Sequence, residues 1–329
     1  MTVDKNWVTA ADVARHAGVS RSAVSRTFTE GASVSDKTRQ RVLAAASELG
    51  YQVNIIARTM ITGSSNFIGI VTAGFDNPFR SKLLTPLVHH LALQGFMPLL
   101  MNADDPQQLE PSLRQLLSYH VAGVILTSGA PPLSLAEEYL AKKIPVTLIN
   151  RHAELPGADR VISDNAQGAQ LAATHLQAQG AKHIAFIGES PVNFSSQQRY
   201  QAFCAAIAPR PVKAFFCPVG GYQAGWDAAA ELLANQPQID AFFCATDMLA
   251  MGVIDFLQHY KLAAGKVKVI GFDDIPQAAW AAYQLTTLAQ DTELLARYAV
   301  DLLIKRIQNF DRPAVHKAIP VKLVVRHSA

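Results

Sequence analysis

The chain predicts an α/β protein in two parts. A three-helix headpiece of helix-turn-helix form occupies residues 1–52, and a two-lobed, doubly wound α/β core occupies 66–329. Three observations predict this. Residues 8–28, VTAADVARHAGVSRSAVSRTF, place two helix-capping residues on either side of a glycine. From residue 66 on, short continuous apolar runs alternate with amphipathic stretches, as in parallel strands covered by helices on both faces. The charge is also uneven. Of 29 Lys and Arg and 26 Asp and Glu, residues 1–60 hold eight and five, and the rest of the chain holds 21 and 21. The whole net charge of +3 therefore sits on the headpiece and the segment after it.

The headpiece elements follow from local chemistry. Thr9 caps a first helix, with Asp12 in the place where a capping box usually has Glu or Gln. Ala10, Val13, Ala14 and Ala17 form its apolar stripe. Gly18 permits the left-handed backbone of a sharp turn. Ser20 caps the second helix, whose inward residue is Val24. Its outward residues are Arg21, Ser22, Ser25 and Arg26, cations and hydrogen-bond donors suited to phosphates and base edges. A third helix follows, capped by Ser35 with Thr38 three positions in; Val42, Leu43, Ala46 and Leu49 make its apolar face and Gly50 ends it. Helix pairs of this kind also occur in proteins that never touch DNA. The confined positive charge is what favours DNA as the partner.

These segments, VTAADVARHAGVSRSAVSRTF, VSDKTRQRVLAAASELGYQVN and ARTM, resemble the LacI family of bacterial repressors, and the likeness runs along essentially the whole chain. The resemblance implies a periplasmic-binding-protein-like core, a homodimer on palindromic operator DNA and a small-molecule effector between the core lobes. It implies DNA contacts from Thr9, Ser20, Arg21, Ser22, Ser25, Arg26 and Thr38 of the headpiece. It further implies a hinge over residues 53–65 that orders on DNA and docks in the minor groove, with Asn54 and Arg58 at the DNA and Met60 as the apolar lever. Two residues depart from the family pattern: Val53 stands where proline is usual, and Met60 where leucine is usual.

In the core, strands are expected at 67–73, 96–102, 121–128, 145–150, 183–189, 239–245 and 267–272, and helices at 81–93, 109–119, 165–177, 198–207, 223–233 and 248–260. The length suggests two Rossmann-like lobes. The family likeness adds three crossings between them, near 163–165, 289–291 and 319–321. The N-lobe then comprises about 66–163 and 291–319, and the C-lobe about 164–290 and 320–329.

Ligands in such folds bind beyond the carboxyl ends of strands. The polar residues there are the pocket candidates: Asp76, Asn77, Phe79, Thr127, Asn150, Arg151, Arg199, Thr246 and Asp273. In the family, positions matching Asn150, Arg199, Thr246 and Asp273 commonly hold the effector. Several neighbours have structural alternatives. Asp247 is expected to cap the helix after it, Asp274 to cap the turn before Pro276, Asp164 to hold a crossover, and Phe79 to join the core. Arg151 is a candidate partner for Asp273. A pocket mixing Arg, Asp and Asn suits a sugar, a sugar acid or a related small polar metabolite.

The alternative is a ligand-binding or enzymatic α/β core with no DNA role. The sequence has no GxSxG, P-loop or HExxH motif, and no GxGxxG opening a helix, so an enzyme is not expected. His89 and His90 are adjacent and so face apart, and Cys204, Cys217 and Cys244 lack metal spacing. No metal or cofactor is expected. No apolar run reaches membrane length and no signal peptide precedes Asn6, so a cytoplasmic, nucleoid-associated protein with no membrane partner is expected. No heptad segment follows the core, which predicts a dimer, with Leu87, Leu91 and Leu93 on its face.

Overall fold

The computed structural model describes residues 7–29, 31–53, 65–103, 111, 114–127, 133–151, 155–262 and 267–329. The chain divides into two units, Met1–Ser65 and Asn66–Ala329. Asn54, Arg58 and Met60, and with them the expected hinge helix, lie outside the described residues.

In the first unit, α1 (Ala10–Ala17), α2 (Arg21–Thr27) and α3 (Asp36–Leu49) enclose a small core. The first cap is reciprocal: the Asp12 amide donates to Thr9 Oγ1 at 3.3 Å and the Thr9 amide to Asp12 Oδ2 at 3.0 Å. Gly18 ends α1 at φ +62°, and a Cβ there would fall 2.9 Å from Arg41 Nη2. That guanidinium donates to the Ala17 carbonyl at 2.5 Å, so one of the headpiece cations also pins the turn. Val13, Val24 and Val42 are fully buried at the centre. One expectation fails: Leu43 is 47% exposed, and Ala45 turns inward instead. Positions 42, 45, 46 and 49 share one face of a 3.6-residue helix, and 43 lies about 100° off it.

The second unit has two sheets. The elements of the first are β1 (Phe67–Thr72), α4 (Pro78–Leu93), β2 (Met97–Asn102), β3 (Gly123–Leu126), α5 (Leu133–Ala141), β4 (Val146–Ile149) and β5 (Asp159–Ser163). The second is built from α6 (Asn165–Ala178), β6 (Ile184–Gly188), α7 (Phe194–Ile207), β7 (Lys213–Phe216), α8 (Tyr222–Asn235), β8 (Ala241–Cys244), α9 (Asp247–His259), β9 (Lys268–Asp273) and β10 (Thr286–Ala289). The chain then returns to the first sheet through α10 (Thr292–Gln308) and β11 (His316–Ile319), and ends in the second with β12 (Lys322–Val324). Strand order is β11-β5-β4-β3-β1-β2 in one sheet and β12-β10-β9-β8-β6-β7 in the other. Among the described strands only β12 runs antiparallel to its neighbour. Each sheet thus takes its last strand from the C-terminal stretch, so the lobes are joined by three passages of chain.

The central strands β1, β3, β4, β6 and β8 are buried along their whole length. Residues 97–102 are not, because β2 is an edge strand: Met97 is 49% and Leu100 46% exposed. Helix α4 starts at Pro78, earlier than its periodicity suggests, because Asn77 caps it and Pro78 fits its first turn. Leu87 and Leu91 of α4 are fully buried in the chain's own core, which corrects their assignment to a dimer face. Val88, 42% exposed, and Leu93, 66% exposed, are the large apolar residues α4 presents outward. Helix α10 packs on α4 and on β3, β4 and β5, and Arg306 near its end pairs with the buried Asp159 carboxylate through Nε at 2.8 Å and Nη2 at 3.0 Å.

Candidate functional site

Helix α2 is the first candidate. Val24 and Thr27 turn inward, which leaves Arg21, Ser22, Ser25 and Arg26 exposed together on the opposite face. Arg26 Nη2 reaches Ser22 Oγ at 3.4 Å, and Ser20 Oγ accepts the Ala23 amide at 3.2 Å. Thr9 is exposed at the start of α1, and the Thr38 amide donates to Ser35 Oγ at 3.3 Å at the start of α3. The result is a short helix offering two cations and two hydroxyls, which can donate to phosphate oxygens and base edges at once.

The second candidate is a polar cleft between the two sheets of the core. Its first side carries Asn77, Phe79, Arg80 and Asn150. Its second carries Glu189, Asn193, Ser195, Ser196, Arg199, Ala245, Thr246 and Asp273, with Gln290 at a crossing. These groups lie at the carboxyl ends of the parallel strands, where unpaired backbone ends and helix starts gather polar atoms.

Arg199 is 3% exposed, and the fold fixes it on three sides. Its Nε donates to Asn165 Oδ1 at 2.9 Å, its Nη1 to the Ala245 carbonyl at 2.5 Å, and its plane lies over the Phe272 ring. Burial pulls its pKa down to about 10, opposed by the charges of Asp273, Glu189 and Asp247, so it stays cationic at neutral pH. Burial holds the Asp273 carboxyl well above the usual carboxylate range, with Arg199 pulling the other way. A chain of hydrogen bonds organises the cleft floor. The Ser163 amide donates to Asn150 Oδ1 at 2.7 Å, Asn150 Nδ2 to Gln290 Oε1 at 2.8 Å, and Gln290 Nε2 to Asp273 Oδ1 at 2.6 Å.

The expected pocket residues divide. Asn77, Phe79, Asn150, Arg199, Thr246 and Asp273 all line the cleft. Phe79 is at the same time 5% exposed in the core, and Asn77 Oδ1 caps α4 by accepting the Phe79 amide at 3.0 Å. Three others are not among the lining residues. Asp76 is exposed on the turn before α4. Thr127 is buried beside Thr72, to whose Oγ1 it donates at 2.7 Å. Arg151 follows the lining residue Asn150, and burial lowers the pKa of its guanidinium. Asp273 takes its hydrogen bond from Gln290, and the cation opposing its burial is Arg199 rather than Arg151.

The helix after β8 is capped by Thr246, not by Asp247: Thr246 Oγ1 accepts the Leu249 amide at 3.4 Å. Asp247 is one residue further on, fully buried, and accepts the Ile275 amide at 2.9 Å and Thr287 Oγ1 at 2.5 Å. Burial raises its pKa to about 6 against those two hydrogen bonds. Asp274 does not cap its turn either. Its carboxylate pairs with Arg326 Nη2 at 2.7 Å, while its carbonyl accepts Lys82 Nζ from α4 at 2.8 Å. Asp164 caps α6 through the Gln167 amide at 2.9 Å, right at the crossover it was expected to hold.

Sequence reasoning missed Arg80, Glu189, Asn193, Ser195, Ser196, Ala245 and Gln290. A signal existed for two of them: Glu189 closes the apolar run HIAFIGE, and Gln290 sits between the run TTLA and the cap Asp291. Arg80 and Asn193 gave none, since each resembles an ordinary residue at a helix start. Among the described residues no group of three His, Cys, Asp or Glu is placed to hold a metal ion, and no helix is long and apolar enough to cross a membrane.

Comparison with known proteins now bears on both candidates. Residues 9–54 match the bacterial regulatory proteins of the lacI family, and 173–329 match the periplasmic binding protein-like domain. The chain is 30% identical over 320 residues to the ribose operon repressor of Halalkalibacterium halodurans, covering 96% of each. It is 28% identical to the transcriptional repressor PurR of Mannheimia succiniciproducens, covering 96% of this chain and 97% of that one. Among solved structures, the lac repressor dimer bound to operator and the anti-inducer ONPF superposes with a TM-score of 0.87 at 25% identity, covering 98% of this chain and 99% of that one.

Proposed function

The chain belongs to the LacI family of bacterial regulatory proteins and is a ligand-controlled, DNA-binding repressor rather than an enzyme; we propose that α2 reads its operator and that the cleft around Arg199 holds its effector. We assign residues 1–52 to DNA reading, 53–65 to the connecting hinge and 66–329 to effector binding and dimerisation. The working form is a homodimer on a palindromic operator, and its site of action is the nucleoid. Arg21, Ser22 and Arg26 face bases, while Thr9, Ser20, Ser25 and Thr38 face the backbone. The effector is a sugar, a sugar acid or a related polar metabolite.

The observation that carries the effector site is the guanidinium of Arg199, buried and fixed on three sides, yet lining a cleft with Asp273 and Glu189. A buried cation is costly unless oxygen-rich groups meet it. Hydroxyls of a sugar suit this site, because each one accepts from a guanidinium and donates to a carboxylate. Linkage then requires effector and operator to change each other's affinity by one factor. The test is a titration of a sugar panel by thermal shift, repeated with an operator duplex selected from random sequence. A ligand that raises the melting temperature and binds with a different affinity when operator is present supports the function. Equal affinity with and without operator removes the coupling.

A further inference from the structure

Glu189 is a cleft residue that the sequence reading did not single out. It is held on several sides. Its amide donates to Ser196 Oγ at 3.0 Å, its Oε2 accepts Asn193 Nδ2 at 2.9 Å, and its Oε1 lies so close to Gly220 that a Cβ there would fall 2.5 Å away. The carboxylate is therefore aimed by the loops after β6 and β7 rather than left to swing. Arg80 belongs to the opposite lobe, in the first turn of α4, with Nη1 bonded to the Ala73 carbonyl. Burial pushes the Glu189 carboxyl up, while Arg80 first and Arg199 second pull it back down.

The cleft thus sets two guanidiniums, Arg80 and Arg199, against two carboxylates, Glu189 and Asp273. Asp247 stands behind them and adds acidic character beside Arg199. Among the described lining residues the cations do not outnumber the carboxylates, so none is spare to meet an anionic ligand. A carboxylate or phosphate entering here would give a partly desolvated site an unpaired negative charge, which costs far more than a hydroxyl placed between existing partners.

We propose that Glu189 is the residue that sets ligand charge in this cleft: with it in place the site takes an uncharged, hydroxyl-rich molecule and rejects the aldonate or phosphate of the same skeleton. The inference rests on the cleft being the effector site and narrows the effector class. Replacing Glu189 by Gln keeps the size and the acceptor for Asn193 but removes one negative charge. One guanidinium is then unmatched, and an anionic ligand meets it.

The test is a thermal-shift titration of the full chain with uncharged pentoses and hexoses, each beside its aldonate and its phosphate; D-ribose, D-ribonate and D-ribose 5-phosphate form one such set. For the wild type, an uncharged member should raise the melting temperature and its anionic partners should not. Glu189→Gln should shift the neutral-to-anionic affinity ratio by at least tenfold toward the anion. Glu189→Asp, which keeps the charge, should retain the wild-type order and so separates charge from folding. An anionic ligand that stabilises the wild type as well as its neutral partner overturns the inference and leaves the effector site standing. An unchanged ratio in Glu189→Gln does the same. Silence of the wild type across the whole panel overturns the inference and the assignment of the cleft together.

Discussion

The guanidinium of Arg199 lies over Phe272, its carbon 3.4 Å from the ring centroid. Phe272 is the residue before Asp273 on β9, so one strand supplies both the surface that supports the cation and the carboxylate that faces it. Stacking of this kind, shielded from water, contributes roughly 2 kcal/mol. It also fixes the plane of the guanidinium, which a lysine could not reproduce.

Arg199→Met should therefore cost about 3 kcal/mol of core stability, because Asp273 and Glu189 lose the charge that offsets their burial. Arg199→Lys should restore part of the stability but little of the ligand response. Urea unfolding with ligand-induced thermal shift separates the two effects. Operator affinity without ligand should stay within a few fold of wild type. A Met variant that keeps its ligand response removes Arg199 from the effector site.

In the headpiece, Ser20 Oγ accepts the Ala23 amide, so Ser20→Ala should destabilise α2 by about 1 kcal/mol. Faster amide exchange across α1 and α2 in the full chain is the expected sign. Arg21→Ala and Arg26→Ala should leave that exchange unchanged and weaken operator binding. The salt dependence distinguishes their roles: losing a phosphate contact lowers the slope by about one, whereas losing a base contact relaxes sequence preference.

The pH dependence of core stability should run toward acid. Asp247, Asp273 and Glu189 all have pKa values raised by burial, so holding them ionised costs the fold stability that acidification returns. For Asp247 the ordinary value is 3.8 and the folded value about 6. Its stabilising effect is complete below the first and is lost as pH rises through the second. The core should melt higher at pH 5.5 than at 7.5, and Asp247→Asn should flatten that difference. A melting temperature that falls steadily on acidification contradicts the assignment.

Val88 and Leu93 on α4, and Met97 and Leu100 on the edge strand β2, are large apolar residues left exposed. Leu93→Glu or Leu100→Glu should shift the dimer toward monomer in sedimentation velocity, because a charge on a covered apolar face must be desolvated. Ligand-induced stabilisation of the core should survive. A dimer unaffected by both changes places the interface elsewhere.

The sequence by itself determined the local structure. Thr9, Ser20 and Ser35 cap their helices as their chemistry dictates, because a cap is completed within three residues along the chain. The continuous apolar runs marked the buried central strands, and their alternation with helices marked the doubly wound class. Short strands such as 159–163 and 322–324 escaped, since three to five residues with polar members have no periodicity to read. Tertiary structure alone decided which polar side chains share a space. Thr246 and Asp247 are adjacent and both suited to capping, and only the approach of Ile275 and Thr287 assigns the cap to the threonine and the burial to the aspartate. Thr127 follows a strand as Asn150 does, yet Thr72 on the neighbouring strand draws it into the core, while Gln290 draws Asn150 to the cleft. Arg80 and Glu189 are more than a hundred residues apart in sequence, and each alone reads as a solvated surface charge. Their electrostatic relation exists only because two lobes joined by three passages of chain close on one cavity. A charge's energy depends on what surrounds it in space, and no local pattern of residues records that.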